Sequence, residues 1–161
     1  MIKIDNHLIQ IISEQAQSCN RQRKNYNFHK IAADPFQRLI NAIEPYSYIQ
    51  PHKHENPDKR EVFFVLKGRM LVVEFNNDGE IIDNIVLDAL NGNMAVEIPE
   101  RTWHTIISLE TGSVSYECKD GPYDPDDDKN FAIWAPKEGD GNCNAYIDEI
   151  LSKLNLKIST F

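Results

Sequence analysis

The chain has 161 residues, 41% of them hydrophobic and 26% charged, and a net charge of −8 from 17 basic and 25 acidic side chains. That length fits one domain with a real core, and the composition excludes a disordered chain. An acidic surface repels phosphate backbones, so nucleic acid is excluded as a partner.

The first stretch, MIKIDNHLIQIISEQ, carries charges and amides inside its apolar residues, unlike the h-region of a signal peptide. No window approaches the ~18 apolar residues of a membrane span, so a cytoplasmic location is expected. Residues 5–17 predict a short helix. Asp5 or Asn6 caps it, and Leu8, Ile11, Ile12 and Ala16 form its apolar stripe. Cys19 to Lys30 follows as a polar segment, in which Arg21, Arg23 and Lys24 are expected to be a solvated loop. Residues 1–35 are thus a helix and polar segment packed on the body of the protein.

From residue 36 to 120 short apolar runs alternate with turn residues. The runs are Phe36–Ile43, Tyr46–His54, Glu61–Leu66, Met70–Phe75, Ile81–Leu87, Met94–Ile98, Trp103–Leu109 and Ser113–Lys119. Asn77-Asp78-Gly79 is a hairpin signal. About eight short strands without an intervening helix predict a mainly β sandwich or barrel. Residues 121–161 form a wrapping segment and a last helix. Pro122, Pro125 and Pro136 exclude regular structure in the first part, and Phe131, Ile133 and Trp134 are expected to find cover there. Asp126–Asp128 is expected to be a solvated turn. Residues 144–157 predict a helix with Ile147, Ile150, Leu151 and Leu154 on one face. Cys19, Cys118 and Cys143 are odd in number and form no C-x-x-C pair, against both a disulfide framework and a cysteine zinc site. Cys118, in a strand-like run, reads as an inert core residue.

The chemistry lies in four residues. His52 and His54 form an H-x-H pair, and on a strand residues i and i+2 share a face. Glu61 opens the next strand in alternation with Phe63 and Val65, so it faces an apolar interior, where an unpaired carboxylate is costly. His104 lies about 40 residues later, after Trp103, which faces the other way. Three imidazoles and one carboxylate suit one divalent transition metal: zinc, iron, manganese, nickel or copper. His7 and His29 are left as ordinary histidines, with His29 near enough in pattern to line a pocket. Tyr48 and Gln50 share alternation with His52 and His54. With Phe63 and Arg101 they are the expected ligand-binding residues, Arg101 as a clamp for an anionic group. Tyr116 with Cys118, or Glu117 with Lys119, enters the barrel; the pattern leaves both open.

Pro51-His52-Lys53-His54, Glu61 and Gly68 resemble the first cupin motif, and Pro99 to His104 resembles the second. More closely, the chain resembles the WbuC family of cupin-fold metalloproteins over roughly residues 1–141. Tyr26-Asn27-Phe28-His29, Gly121-Pro122-Tyr123-Asp124 and Trp134-Ala135-Pro136 add to that likeness. Six residues separate His54 from Glu61, more than the general motif has. Tyr46 and Arg101 stand where the cupin motifs carry glycine, and Ser108 where the second ends in Asn. The resemblance implies a cupin jelly-roll β-barrel, His52, His54, Glu61 and His104 as metal ligands, and an association with bacterial surface-polysaccharide (O-antigen) biosynthesis.

Two function classes follow. One is a metal-dependent enzyme on a sugar or nucleotide-sugar, an isomerase or epimerase, or an oxygenase if the metal is iron. The other is a non-catalytic module in which the metal helps bind a small polar or anionic ligand. A purely structural metal fits less well, since the apolar core is large enough to fold alone. No GxGxxG or P-loop occurs. Strands apolar on both faces, as in Val62 to Leu66, and the habit of cupins to pair lead to a homodimer as the expected assembly.

Overall fold

The computed structural model describes residues 1–159. Helix α1 spans Asn6–Ser18, and the Asp5 carboxylate caps it by accepting from the Leu8 amide at 3.0 Å. Such a cap contributes about 1 kcal/mol. Ten strands follow: β1 (Arg23–Asn27), β2 (Phe36–Ile43), β3 (His52–Lys53), β4 (Glu61–Lys67), β5 (Arg69–Phe75), β6 (Ile81–Asp88), β7 (Ala95–Ile98), β8 (Trp103–Ser108), β9 (Ser113–Asp120) and β10 (Asn130–Phe131). Helix α2 spans Cys143–Lys153. The strands make two five-stranded antiparallel sheets, β1-β2-β9-β4-β7 and β10-β3-β8-β5-β6, which face one another as a jelly-roll barrel.

Period-two alternation explains why so many strands are apolar on both faces. On β5, Met70 and Val72 point into the barrel and meet Phe63, Val65, Leu87 and Ile106. The residues between them, Leu71 and Val73, point outward with Phe75 and Ile107 and pack beneath Ile147, Ile150 and Leu151 of α2. On the other sheet, Ile40, Ala42 and Val114 lie beneath Ile9, Ile12 and Ala16 of α1. The barrel interior itself changes character along its length. Inward residues of β9 run from Ser113 and Ser115 to Glu117 and Lys119, all buried. Those of β4 run from Val65 and Phe63 to Glu61. One end is therefore a packed apolar plug, and the other is polar.

Several expectations change here. The polar segment after α1 contains β1, which pairs with β2 from Arg23↔Ile43 to Asn27↔Leu39. It is a largely exposed edge strand, so it lacks the apolar alternation that marks a strand. The run Tyr46–His54 is strand only at His52–Lys53, and Tyr46 sits at φ +62°. The proline-rich segment contributes β10, paired with β3 through Phe131↔His52. Within that segment Ile133 is fully exposed and Phe131 half-exposed. Trp134 takes the packing role instead, 5.2 Å from the Phe75 ring and 6.0 Å from Trp103. Asp126 and Asp127 are exposed, but Asp128 is buried. Arg21 and Arg23 are not a free solvated loop, since both pair with Glu138 at 2.8 and 2.7 Å. Cys118 is only half-buried, on the outer face of β9, because Glu117 and Lys119 take the inward positions.

Candidate metal centre

His52 on β3 and His104 on β8 are directly opposed across the strand pair. His54 stands two residues beyond His52, and Glu61 arrives from the other sheet as the first residue of β4. All four side chains are buried, and one ligand atom from each lies within 4.8 Å of the others. The loop of six residues before Glu61 does not displace it, because Lys59 anchors that loop in the interior. Lys59 Nζ donates to Pro122 O at 2.6 Å and to Asp128 Oδ1 at 2.7 Å.

Each imidazole is oriented through its Nδ1. His52 Nδ1 lies 3.0 Å from Gln50 O and His104 Nδ1 2.8 Å from Thr102 O, while His54 Nδ1 meets Asp128 O. A carbonyl only accepts, so each Nδ1 carries the proton and each Nε2 presents a lone pair. Those lone pairs converge with a carboxylate. Glu61 Oε1 is 3.4 Å from His54 Nε2 and in contact with His104 Nε2. These three atoms are buried and have no hydrogen-bond partner. Lone pairs crowded together away from water are costly, and a cation among them removes the cost. The donor set fits a divalent transition ion, with the carbonyls as the groups that fix tautomer and ring orientation. Burial raises the Glu61 carboxyl, and His104 and His54 pull it well below the usual carboxylate range only where an Nε2 carries a proton; with the Nε2 lone pairs free, a cation would take the place of that proton. Burial, reinforced by Lys129, pushes the His52 imidazole well below its ordinary value and keeps it neutral.

The segment after β9 clasps this centre. Gly121 opens it where a Cβ would stand 2.0 Å from Asp34 O, so only glycine fits. The Asp128 carboxylate accepts from Lys59 on one oxygen and from Lys119 Nζ on the other, at 2.6 Å, and its carbonyl holds His54. The Ala132 amide donates to Pro51 O at 2.8 Å, and Gln50 Nε2 to Ala132 O at 2.9 Å.

A cavity of about 470 Å³ opens on the centre, within the usual range of small-molecule sites. His52, Glu61 and His104 line it together with Gln50, Phe63, Asn41, Glu117 and Lys129. Glu117 accepts from Asn41 Nδ2 at 2.5 Å, and burial, with the Glu61 charge nearby, raises its carboxyl. Burial alone would lower the Lys119 ammonium, but Glu117, Glu61 and Asp128 raise it.

Of the expected ligand-binding residues, Gln50 and Phe63 line the cavity. Tyr48 and Arg101 are placed elsewhere. The chain before β3 is not a strand, so the alternation that put Tyr48 beside His52 does not hold. Its hydroxyl donates to Pro136 O at 2.7 Å and its ring joins the cluster beneath α2. Arg101 occupies a left-handed turn at φ +63°, where its amide donates to His54 O. Its exposed guanidinium is paired with Asp58 at 2.9 Å. Both Arg101 and Tyr46 thus keep, as non-glycine residues, the backbone conformation that explains the motif's glycines. His29 lines the cavity and accepts from the Arg38 amide at 3.1 Å, while His7 is exposed on α1. Trp103 faces away from the centre and donates to Asn77 Oδ1. Asp128 and Lys129 were hidden in the sequence by their turn-rich setting. Strand alternation did carry a signal for Glu117 and Lys119, but not its direction.

Residues 4–87 match the family model described as a domain of unknown function, DUF6016. No curated protein matches the chain. Among solved structures, CapF bound to the inhibitor 3-isopropenyl-tropolone is 25% identical over 71% of this chain, with a TM-score of 0.58. The capsular polysaccharide assembling protein CapF from Staphylococcus aureus is 26% identical over 66% of it, with a TM-score of 0.55. The chain spans about a third of their length, 32% and 28% respectively. A dTDP sugar isomerase from Desulfovibrio desulfuricans G20 shares the fold, at 16% identity over 63% of this chain and 65% of that one, with a TM-score of 0.51. The fold is the cupin jelly roll.

Proposed function

The chain belongs to the DUF6016 domain family, and on that premise we propose that it is a metal-binding cupin whose cavity handles a small, oxygen-rich ligand of the sugar or nucleotide-sugar kind. One observation carries this reading: Nε2 lone pairs of buried histidines converge with the Glu61 carboxylate on one wall of a polar cavity. His52, His54, Glu61 and His104 would hold a divalent ion, which would supply a Lewis acid for a carbonyl or hydroxyl oxygen of a ligand in the cavity. The amides of Gln37, Asn41 and Gln50 suit hydroxyl groups. Glu117, with its raised carboxyl, is placed to take up or deliver a proton.

The link to surface-polysaccharide biosynthesis draws on the resemblance to the WbuC family and on the likeness to CapF, described as a capsular polysaccharide assembling protein. The cytoplasmic location draws on three free cysteines, and a homodimer completes the reading.

Calorimetric titration of metal-loaded protein with nucleotide-sugars and sugar acids tests it, followed by a turnover assay on whatever binds. Binding that vanishes on chelation supports the reading. Turnover then selects a metal-dependent isomerase, epimerase or oxygenase, whereas binding without turnover selects the non-catalytic module. Binding that is indifferent to metal overturns the metal-centred site.

A further inference from the structure

The cations lining the cavity are not equivalent. Arg21 and Arg23 are committed to Glu138, and Lys119 to Asp128. Among the described residues, Lys24 and Lys129 are the lining cations with no carboxylate at ion-pair distance. Lys24 lies on β1, an exposed edge strand. Lys129 is exposed as well, but it stands on a different wall. It immediately precedes β10, and the pairing of Phe131 with His52 brings it to the wall that holds the metal ligands. Its charge is felt at His52, and the charges of Glu61 and Glu117 are felt at Lys129. Glu117 is bonded to Asn41 and shares the inward face of β9 with Lys119.

Resting on the metal-centred reading above, we infer that the cavity takes an acidic sugar-type ligand, a polyhydroxylated molecule bearing a carboxylate or a phosphate, and that the Lys129 ammonium recognises its oxyanion. The ligand's hydroxyl or carbonyl oxygens would face the metal ligands, and its charge would sit at Lys129. Lys129 is exposed where it lines the cavity, and the low-dielectric walls of a cleft focus the field of such a cation on an entering anion more than open surface does. This moves the anion-binding role from Arg101, which is paired at the surface, to a residue of the segment between β9 and β10.

The test uses the full chain loaded with zinc and titrated calorimetrically with D-glucuronate, D-glucose 6-phosphate and D-glucose. At least one acid should bind about tenfold tighter than glucose, and Lys129→Gln should erase that preference. Lys129→Arg should keep most of it, Lys24→Gln should leave it nearly unchanged, and zinc content should be the same in all variants. Which acid is preferred separates carboxylate from phosphate. The inference is overturned if neither acid outbinds glucose, if Lys129→Gln binds the acids like the parent, or if Lys24→Gln is the variant that loses them. Acid binding that needs Lys129 but survives chelation would leave the subsite standing and overturn the metal-centred reading instead.

Discussion

A histidine can serve as a metal ligand here because its other nitrogen is already committed. His52, His54 and His104 each give Nδ1 to a backbone carbonyl, so replacing any of them by Ala should strongly lower bound metal, as elemental analysis of purified protein would show. His7→Ala, on exposed α1, should change nothing. Glu61→Gln should weaken binding less than the histidine changes, because an amide oxygen still coordinates but brings no charge. Full occupancy in His104→Ala would defeat the assignment. These four residues were legible because H-x-H on an extended segment and a glutamate in phase with apolar neighbours have only one reasonable face to share. Tyr48 and Arg101 were not legible, since their positions depend on left-handed turns at Tyr46 and Arg101 that break the alternation. Asp128 was masked by the exposed aspartates beside it. Its burial leads to a sharp expectation: Asp128→Ala leaves Lys59 and Lys119 buried without their shared counter-charge, which should destabilise the fold by about 3–5 kcal/mol in urea. A loss within the error of the parent's midpoint would show that the lysines find other partners.

Strands with an apolar face turned into the barrel were the readable part of the fold. From β4 to β9 the alternation of large apolar residues gives nearly the observed boundaries, as does β2. Strands β1, β3 and β10 were not readable, because two are two residues long and the third is an exposed edge held by backbone pairing. Helix α2 was readable from its stripe, and its role is to cover the outer face of one sheet. Ile147 is almost completely buried in that contact. Ile147→Ala should therefore cost about 2–5 kcal/mol and leave metal content unchanged, since no ligand lies in that cluster. Metal loss in a folded Ile147→Ala protein would show that α2 shapes the centre. The same contact gives a pH dependence. Burial pushes the Tyr146 phenol up to about 12 and raises Tyr48 as well. Their folded values lie above the unfolded value of about 10, so the unfolded chain loses these protons first. Stability is thus unaffected below pH of about 10 and falls as pH rises towards about 12. Denaturation midpoints across that range should decline, and more gently in Tyr146→Phe.

At the scale of the molecule, the two helices do not cover the barrel evenly. Helix α2 lies over the sheet that holds β5 and β8. Helix α1 packs on β1, β2 and β9, at one side of the other sheet. The remaining outer face of that sheet belongs to β4 and β7. Alternation on β4 sends Glu61, Phe63 and Val65 inward and leaves Val62 half-buried and Phe64 exposed on the outside. Phe64 is flanked there by Tyr116 and Ala95, its cross-strand partners. An aromatic side chain in the middle of an open sheet face is the kind of anchor that interfaces bury. If the homodimer expected from the sequence forms, the open face of β4 and β7 offers it an exposed aromatic anchor, Phe64. Sedimentation equilibrium should give twice the monomer mass for the parent protein. Phe64→Asp should shift it to monomer while keeping full metal content, because the substituted side chain points away from the cavity. A monomeric parent at working concentration removes the dimer. A dimeric Phe64→Asp protein keeps the dimer and moves its interface away from β4.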